Sequence, residues 1–150
     1  MRRAALLLAC FASASSLAPS LVQAQSQPQH AFLFGTWTGG LFPVPASLSP
    51  QACLSQPVVI FTRDLVLRAT LVEQTLTQRE IETVRVTSSG AEFRFAPLGP
   101  ASKALIGGAR GGGFGCASAD GLTIERRGEN EISFPGCADF PNPLVRCQTR

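Results

Sequence analysis

Short stretches in which apolar and polar residues alternate recur along most of this chain. Many are closed by Gly, Pro, Asn, Asp or Ser, and no long run of helical period interrupts them. Such a pattern predicts strands. The first is read from Phe32 to Thr38, followed by a long loop marked by Gly39, Gly40, Pro43, Pro45 and Pro50. Val58 to Thr62 is β-branched and apolar, as buried strands are. Arg63-Asp64 then makes a turn. Leu65, Leu67, Ala69 and Leu71 alternate with Val66, Arg68, Thr70 and Val72, which leaves one face cleanly apolar. Residues 73–80 fit either a strand end or a helical turn. Ile81 and Val84 differ in parity, so a single strand through both needs a bulge. Thr87-Ser88-Ser89-Gly90 joins residues 83–86 to 91–95 as a hairpin turn. Residues 97–115 read as a loop. Two further alternations, Leu122/Ile124 and Ile132/Phe134, flank the turn Gly128-Glu129-Asn130, and Leu144 to Cys147 makes a last short strand. The expected fold is all-β: a small single-domain β-barrel or sandwich of about seven to eight short strands.

The amino terminus has a different pattern. Arg2-Arg3 precedes an apolar run, Ala4 to Ala12, and Val22-Gln23-Ala24 offers small residues for signal peptidase. These are the three parts of a secretory signal peptide, expected to be cleaved after Ala24. The run is too short for a stable membrane span. Leu7-Leu8-Ala9-Cys10 has the form of a lipidation box, but so few residues precede Cys10 that it is read as an ordinary signal-peptide cysteine. The organisation expected is a signal peptide (1–24), a flexible polar tail (25–30) and one domain (31–150), in a periplasmic or secreted monomer.

Removing residues 1–24 changes the charge. The chain has 13 Lys and Arg against 10 Asp and Glu, and Arg2 and Arg3 leave with the signal. The remainder is nearly neutral, so nothing in it calls for nucleic acid. Cys53, Cys116, Cys137 and Cys147 remain, an even number that suits two disulfides in an oxidising compartment. The pairing expected is Cys137–Cys147 across a segment with two prolines, with Cys53–Cys116 by elimination. A zinc site is not expected, because no Cys-x-x-Cys pair occurs.

Candidate chemistry is sparse. His30 is the only histidine and lies in the expected tail, where a general base would have no fixed position. Glu80 with Glu82, and Glu129 with Glu131, are paired carboxylates at strand spacing and are read as solvent-facing. The glycines between 107 and 115 lack the Gly-Lys-Ser/Thr of a phosphate loop and are read as a loop closed by Cys116. No catalytic residue, metal or cofactor is expected. Phe134-Pro135-Gly136-Cys137 and Phe140-Pro141-Asn142-Pro143 read as a disulfide-closed loop in which Phe140 either binds a partner or covers the core.

Gly35-Thr36-Trp37 in the first strand resembles the Gly-x-Trp of lipocalins and of small exported metalloprotease inhibitors built on a similar, calycin-like barrel. The resemblance implies that Trp37 packs across a barrel floor and that Arg146 is the late arginine stacked on it. The Pro-rich loop after the first strand and the cysteine spacing depart from the inhibitors' pattern. The candidate ligand-binding residues are therefore Trp37, Phe140 and Arg146. The expected function is an exported, non-enzymatic protein that binds a small apolar molecule or a protein partner. The alternatives are an inhibitor of an exported protease, acting through residues 25–30 or a Pro-rich loop as a substrate-like segment, and an envelope structural protein.

Overall fold

A computed structural model describes residues 26–43, 49, 51, 53, 57–71, 76–98 and 113–147. The signal segment, Cys10, Gln25 and the glycines from 107 to 112 lie outside the described residues. A short 3-10 helix, Ala31–Leu33, leads into eight strands: β1 (Gly35–Gly39), β2 (Val58–Phe61), β3 (Leu65–Ala69), β4 (Thr77–Val86), β5 (Gly90–Phe95), β6 (Gly121–Arg126), β7 (Glu131–Ser133) and β8 (Leu144–Arg146). Each strand pairs antiparallel with the next, and β8 returns to β1, closing a barrel. Of the two all-β architectures the alternation allows, the chain adopts the barrel. Among the described residues no helix is long and apolar enough to cross a membrane.

The 3-10 helix and the β2–β3 turn mark one end of the barrel, here the floor. The β5–β6 and β7–β8 connections cover the other end, the roof. Phe32 and Leu33 were expected in the first strand. They are wound instead into the 3-10 turn, where Leu33 N–H donates to the His30 carbonyl (2.9 Å) and Phe34 N–H to the Ala31 carbonyl (3.1 Å). The strand begins only at Gly35, whose φ of 115° is open to glycine and strained for other residues. Leu33, fully buried, thereby plugs the floor.

The interior follows from register. In an antiparallel ladder directly opposed residues share a face. Val59 and Phe61 of β2 point inward and sit opposite Arg68 and Val66 of β3, so those two are carried inside. The clean apolar parity of β3 is therefore not the interior one: Leu65 and Leu67 are half-buried and Leu71 is exposed, whereas Arg68 is buried. Of the ambiguous segment, residues 77–80 are strand and open β4, while 73–75 lie outside the described residues; the register of β4 shifts between Ile81 and Thr83, the bulge that the parity of Ile81 and Val84 demands.

The two disulfides are Cys53–Cys147 and Cys116–Cys137, not the expected pairs. The segment between Cys137 and Cys147 does turn back at its prolines. It then continues as β8, which carries Cys147 to the floor, where its N–H bonds the Thr36 carbonyl (2.8 Å). Cys137 stays at the roof beside residues 115 and 116, whose chain it meets through the Ala138 N–H and the Gly115 carbonyl (2.9 Å).

β5 and β6 approach so closely at Gly90 that a Cβ there would lie 1.9 Å from the Ile124 carbonyl oxygen. Gly90→Ala is expected to destabilise the protein by about 1–3 kcal/mol through backbone displacement, read as a lowered denaturation midpoint in urea.

Candidate functional site

The floor is built around Trp37 and Arg146, which sit opposite each other across the β1–β8 seam. The guanidinium carbon of Arg146 lies 4.3 Å from the centroid of the Trp37 ring, a favourable cation–π distance. Arg146 Nη1 donates to the Phe34 carbonyl (2.6 Å), and its Nη2 donates to the Phe32 carbonyl. The indole Nε1–H donates to the Leu33 carbonyl (2.8 Å). Three successive carbonyls of the 3-10 turn are thus held by two side chains from the first and last strands. A Cβ at Gly35 would sit 3.7 Å from Arg146 Nη1, an ordinary contact, so glycine is favoured there by its φ of 115° and not by space. Partial burial, and then the nearby Arg126 charge, hold the Arg146 guanidinium below the usual arginine value, with Glu129 acting the other way.

His30 also belongs to the floor. It was expected in a solvated tail, but its ring is buried, edge-on to Phe34 (5.2 Å) and Phe93 (5.5 Å), with Nε2 3.1 Å from the Arg63 carbonyl. A histidine wedged between two aromatic rings and a carbonyl acts as an anchor. Residues 26, 27 and 29 remain exposed beyond it.

Between floor and roof the barrel is filled by rings. Phe93 stacks on Phe95 (6.2 Å) and Phe95 on Phe114 (5.7 Å). Phe134 meets Phe61 (6.4 Å), Phe114 (5.8 Å) and Phe140 (5.5 Å). Phe140 is 1% exposed, so it covers the core instead of projecting from it. The structure brings Trp37 and Arg146 together at the floor and leaves Phe140 at the opposite end.

Two arginines that sequence reasoning passed over fasten the roof. Arg79, 1% exposed, donates through Nη1 to the Ala119 carbonyl (2.6 Å) and through Nη2 to Asp120 Oδ1 (2.6 Å) and the Ala96 carbonyl (3.2 Å). It lies over Phe95 (5.1 Å), so one side chain ties the ring column to both ends of the β5–β6 connection. Arg68 lies over Phe114 (5.8 Å) and reaches Asp139 of the β7–β8 connection (3.3 Å). The Cys116–Cys137 disulfide joins the two connections directly. The available signal was the position of Arg68 and Arg79 inside otherwise strand-like segments, together with Asp120 and Asp139 in the loops.

Glu80, Glu82, Glu129 and Glu131 are exposed, as expected of solvent-facing carboxylates. Among the described residues no group of three or more His, Cys, Asp or Glu side chains comes together to hold a metal. An open groove of about 400 Å³ runs outside the barrel between Arg127, Ser133 and the loop 134–141.

Arg79→Ala removes a fully buried side chain and the donors to the Ala119 and Ala96 carbonyls. The expected loss is about 2–5 kcal/mol of stability by chemical denaturation, from the cavity and the unsatisfied carbonyls together. Asp120→Asn is expected to cost less, because its side-chain oxygen can still accept from Arg79 Nη2 at a half-exposed position.

Compared with family models, with curated proteins and with solved structures, the chain has no significant match.

Proposed function

We propose that this chain is an exported, non-enzymatic binding protein with calycin-like architecture, and that it binds a protein partner rather than a small apolar molecule. Export is supported by the signal-like amino terminus and by two disulfides, which suit an oxidising compartment. The calycin-like reading is supported by a 3-10 turn leading into a Gly-x-Trp strand, an arginine stacked on that Trp, and an eight-strand antiparallel meander closed on itself.

The choice of partner rests on one observation. Small-molecule carriers of this shape keep a ligand cavity inside the barrel. Here Phe61, Phe93, Phe95, Phe114, Phe134 and Phe140, with Arg68 and Arg79, occupy that space. Binding then falls to the outer surface and the loops, which suits a protein.

A second reading is favoured by His30. The floor anchors His30, and Arg63 Nη2 donates to the Ser26 carbonyl (3.4 Å), so the exposed residues just before His30 are displayed at the floor in a fixed place, as a substrate-like inhibitory segment would need. Deleting residues 25–29 would then abolish inhibition of a cognate exported protease. A full chain that inhibits none of the exported proteases tested would sink that reading.

Native mass spectrometry of the protein recovered from a bacterial periplasm tests the main proposal. The expected spectrum carries no apolar adduct, and crosslinking to exported proteins yields a discrete complex. A stoichiometric apolar adduct released on denaturation would contradict it.

A further inference from the structure

β4 is ten residues long, yet β3 pairs with it only over Thr77 to Glu80. Beyond the bulge β4 is held by β5 alone. The phase of that ladder can be read. Thr87 N–H donates to the Gly90 carbonyl (3.0 Å), and Phe95 N–H donates away from β4, to the Asp120 carbonyl (2.9 Å). Hydrogen-bonded positions alternate along an antiparallel pair. Arg85, opposite Glu92, and Thr83, opposite Arg94, therefore face β5, while the N–H and C=O groups of Val84 and Val86 face the other way. β3 has ended by then, its turn contributing only the Asp64 carbonyl to Ile81 N–H (2.8 Å). Among the described residues nothing hydrogen-bonds Val84 or Val86 on that side. Edge strands are commonly blunted by proline, charged side chains, bulges or a covering segment. Residues 82–86 contain neither proline nor lysine, the bulge lies before Thr83, and the charges of Glu82 and Arg85 are each paired across to β5.

We propose that this edge is the docking site for an extended segment of a partner protein. The segment adds as a strand beside residues 82–86 and carries an acidic residue between two β-branched apolar ones. The proposal rests on the protein-binding reading above and names where and how it acts. The chemistry follows from the flanking side chains. Val84 and Val86 lie opposite Phe93 and Ala91 and so share their face of the sheet, where Val86 is 36% exposed and can pack against apolar neighbours. Arg85 projects on the other face, with its side chain 74% exposed. Its Nε and Nη2 both bond one oxygen of Glu92 (3.0 and 2.6 Å). A guanidinium has further donors, and a carboxylate directly across the new ladder would take them. A second copy of the chain fits poorly. Self-pairing centred on Arg85 opposes two Arg85 side chains, which is unfavourable, and self-pairing centred on Val84 runs into the bulge.

The test is amide hydrogen exchange by NMR on the full chain recovered from a bacterial periplasm. The probes are two blocked ten-residue peptides, one with aspartate between two valines and one with lysine in its place. In the free protein the Val84 and Val86 amides are expected to exchange freely. The aspartate peptide is expected to slow both by at least about tenfold, and the lysine peptide to have a smaller effect. Val84→Pro, read at the Val86 amide, is expected to abolish the slowing, since proline there removes an outward N–H and no bond to β5. Should that variant lose its native Trp37 fluorescence, Arg85→Glu serves instead and is expected to reverse the preference between the peptides. Protection of both amides without peptide, no slowing with it, or equal slowing by the two peptides would overturn the proposal. Protection elsewhere, such as along the groove beside Arg127, would overturn the edge while leaving a protein-binding function standing. Absence of any captured exported protein would remove that function as well.

Discussion

The guanidinium of Arg146 against the face of Trp37 is the contact on which the barrel's closure turns. β8 is only three residues long, and it must hold both β7 and β1. So short a strand supplies few ladder bonds. Arg146 adds to them at the seam, stacking on the first strand and donating to two carbonyls of the turn that precedes it. Planar stacking combined with two in-plane donations is something arginine can do and lysine cannot. The Cys53–Cys147 disulfide then ties the residue after β8 to the β1–β2 connection, so the seam is crosslinked next to the stack.

The two ends of the barrel are closed by the same chemistry used differently. At the floor one arginine caps the carbonyls of a 3-10 turn. At the roof two arginines rise from the barrel wall, lie over phenylalanine rings and take loop carbonyls and carboxylates. Burying a guanidinium is costly unless its donors are used. Filling the interior with rings and arginines fixes the loops in place. The charged groups on the protruding β4–β5 hairpin are matched in pairs, Arg85 with Glu92 and Arg94 with Glu82. In the docking proposal, that hairpin's open edge recognises a partner through its backbone groups together with the donors that Arg85 keeps beyond its pair with Glu92.

Much of this was legible along the chain. Eight strand-like stretches, most of them alternating, map onto eight strands, the parity break between Ile81 and Val84 is a real bulge, and Trp37 and Arg146 stack as the Gly-x-Trp resemblance implied. What could not be read locally depends on partners distant in sequence. The interior face of β3 is set by its register with β2, so the apolar parity of Leu65 and Leu67 gave the wrong side. The disulfides follow from which end of the barrel each cysteine reaches, which proximity in sequence does not tell. Phe114 looked like part of a glycine-rich loop and His30 like part of a tail. Both are core residues because rings from other strands receive them.

A double-mutant cycle on Trp37 and Arg146 tests the central claim most directly. Trp37→Phe, Arg146→Lys and the double variant would be compared with the parent by urea denaturation. If the stack closes the barrel, the two positions are coupled by about 1–2 kcal/mol, with the double variant losing less than the two single losses together. Losses that simply add, to within about 0.3 kcal/mol, would contradict the account.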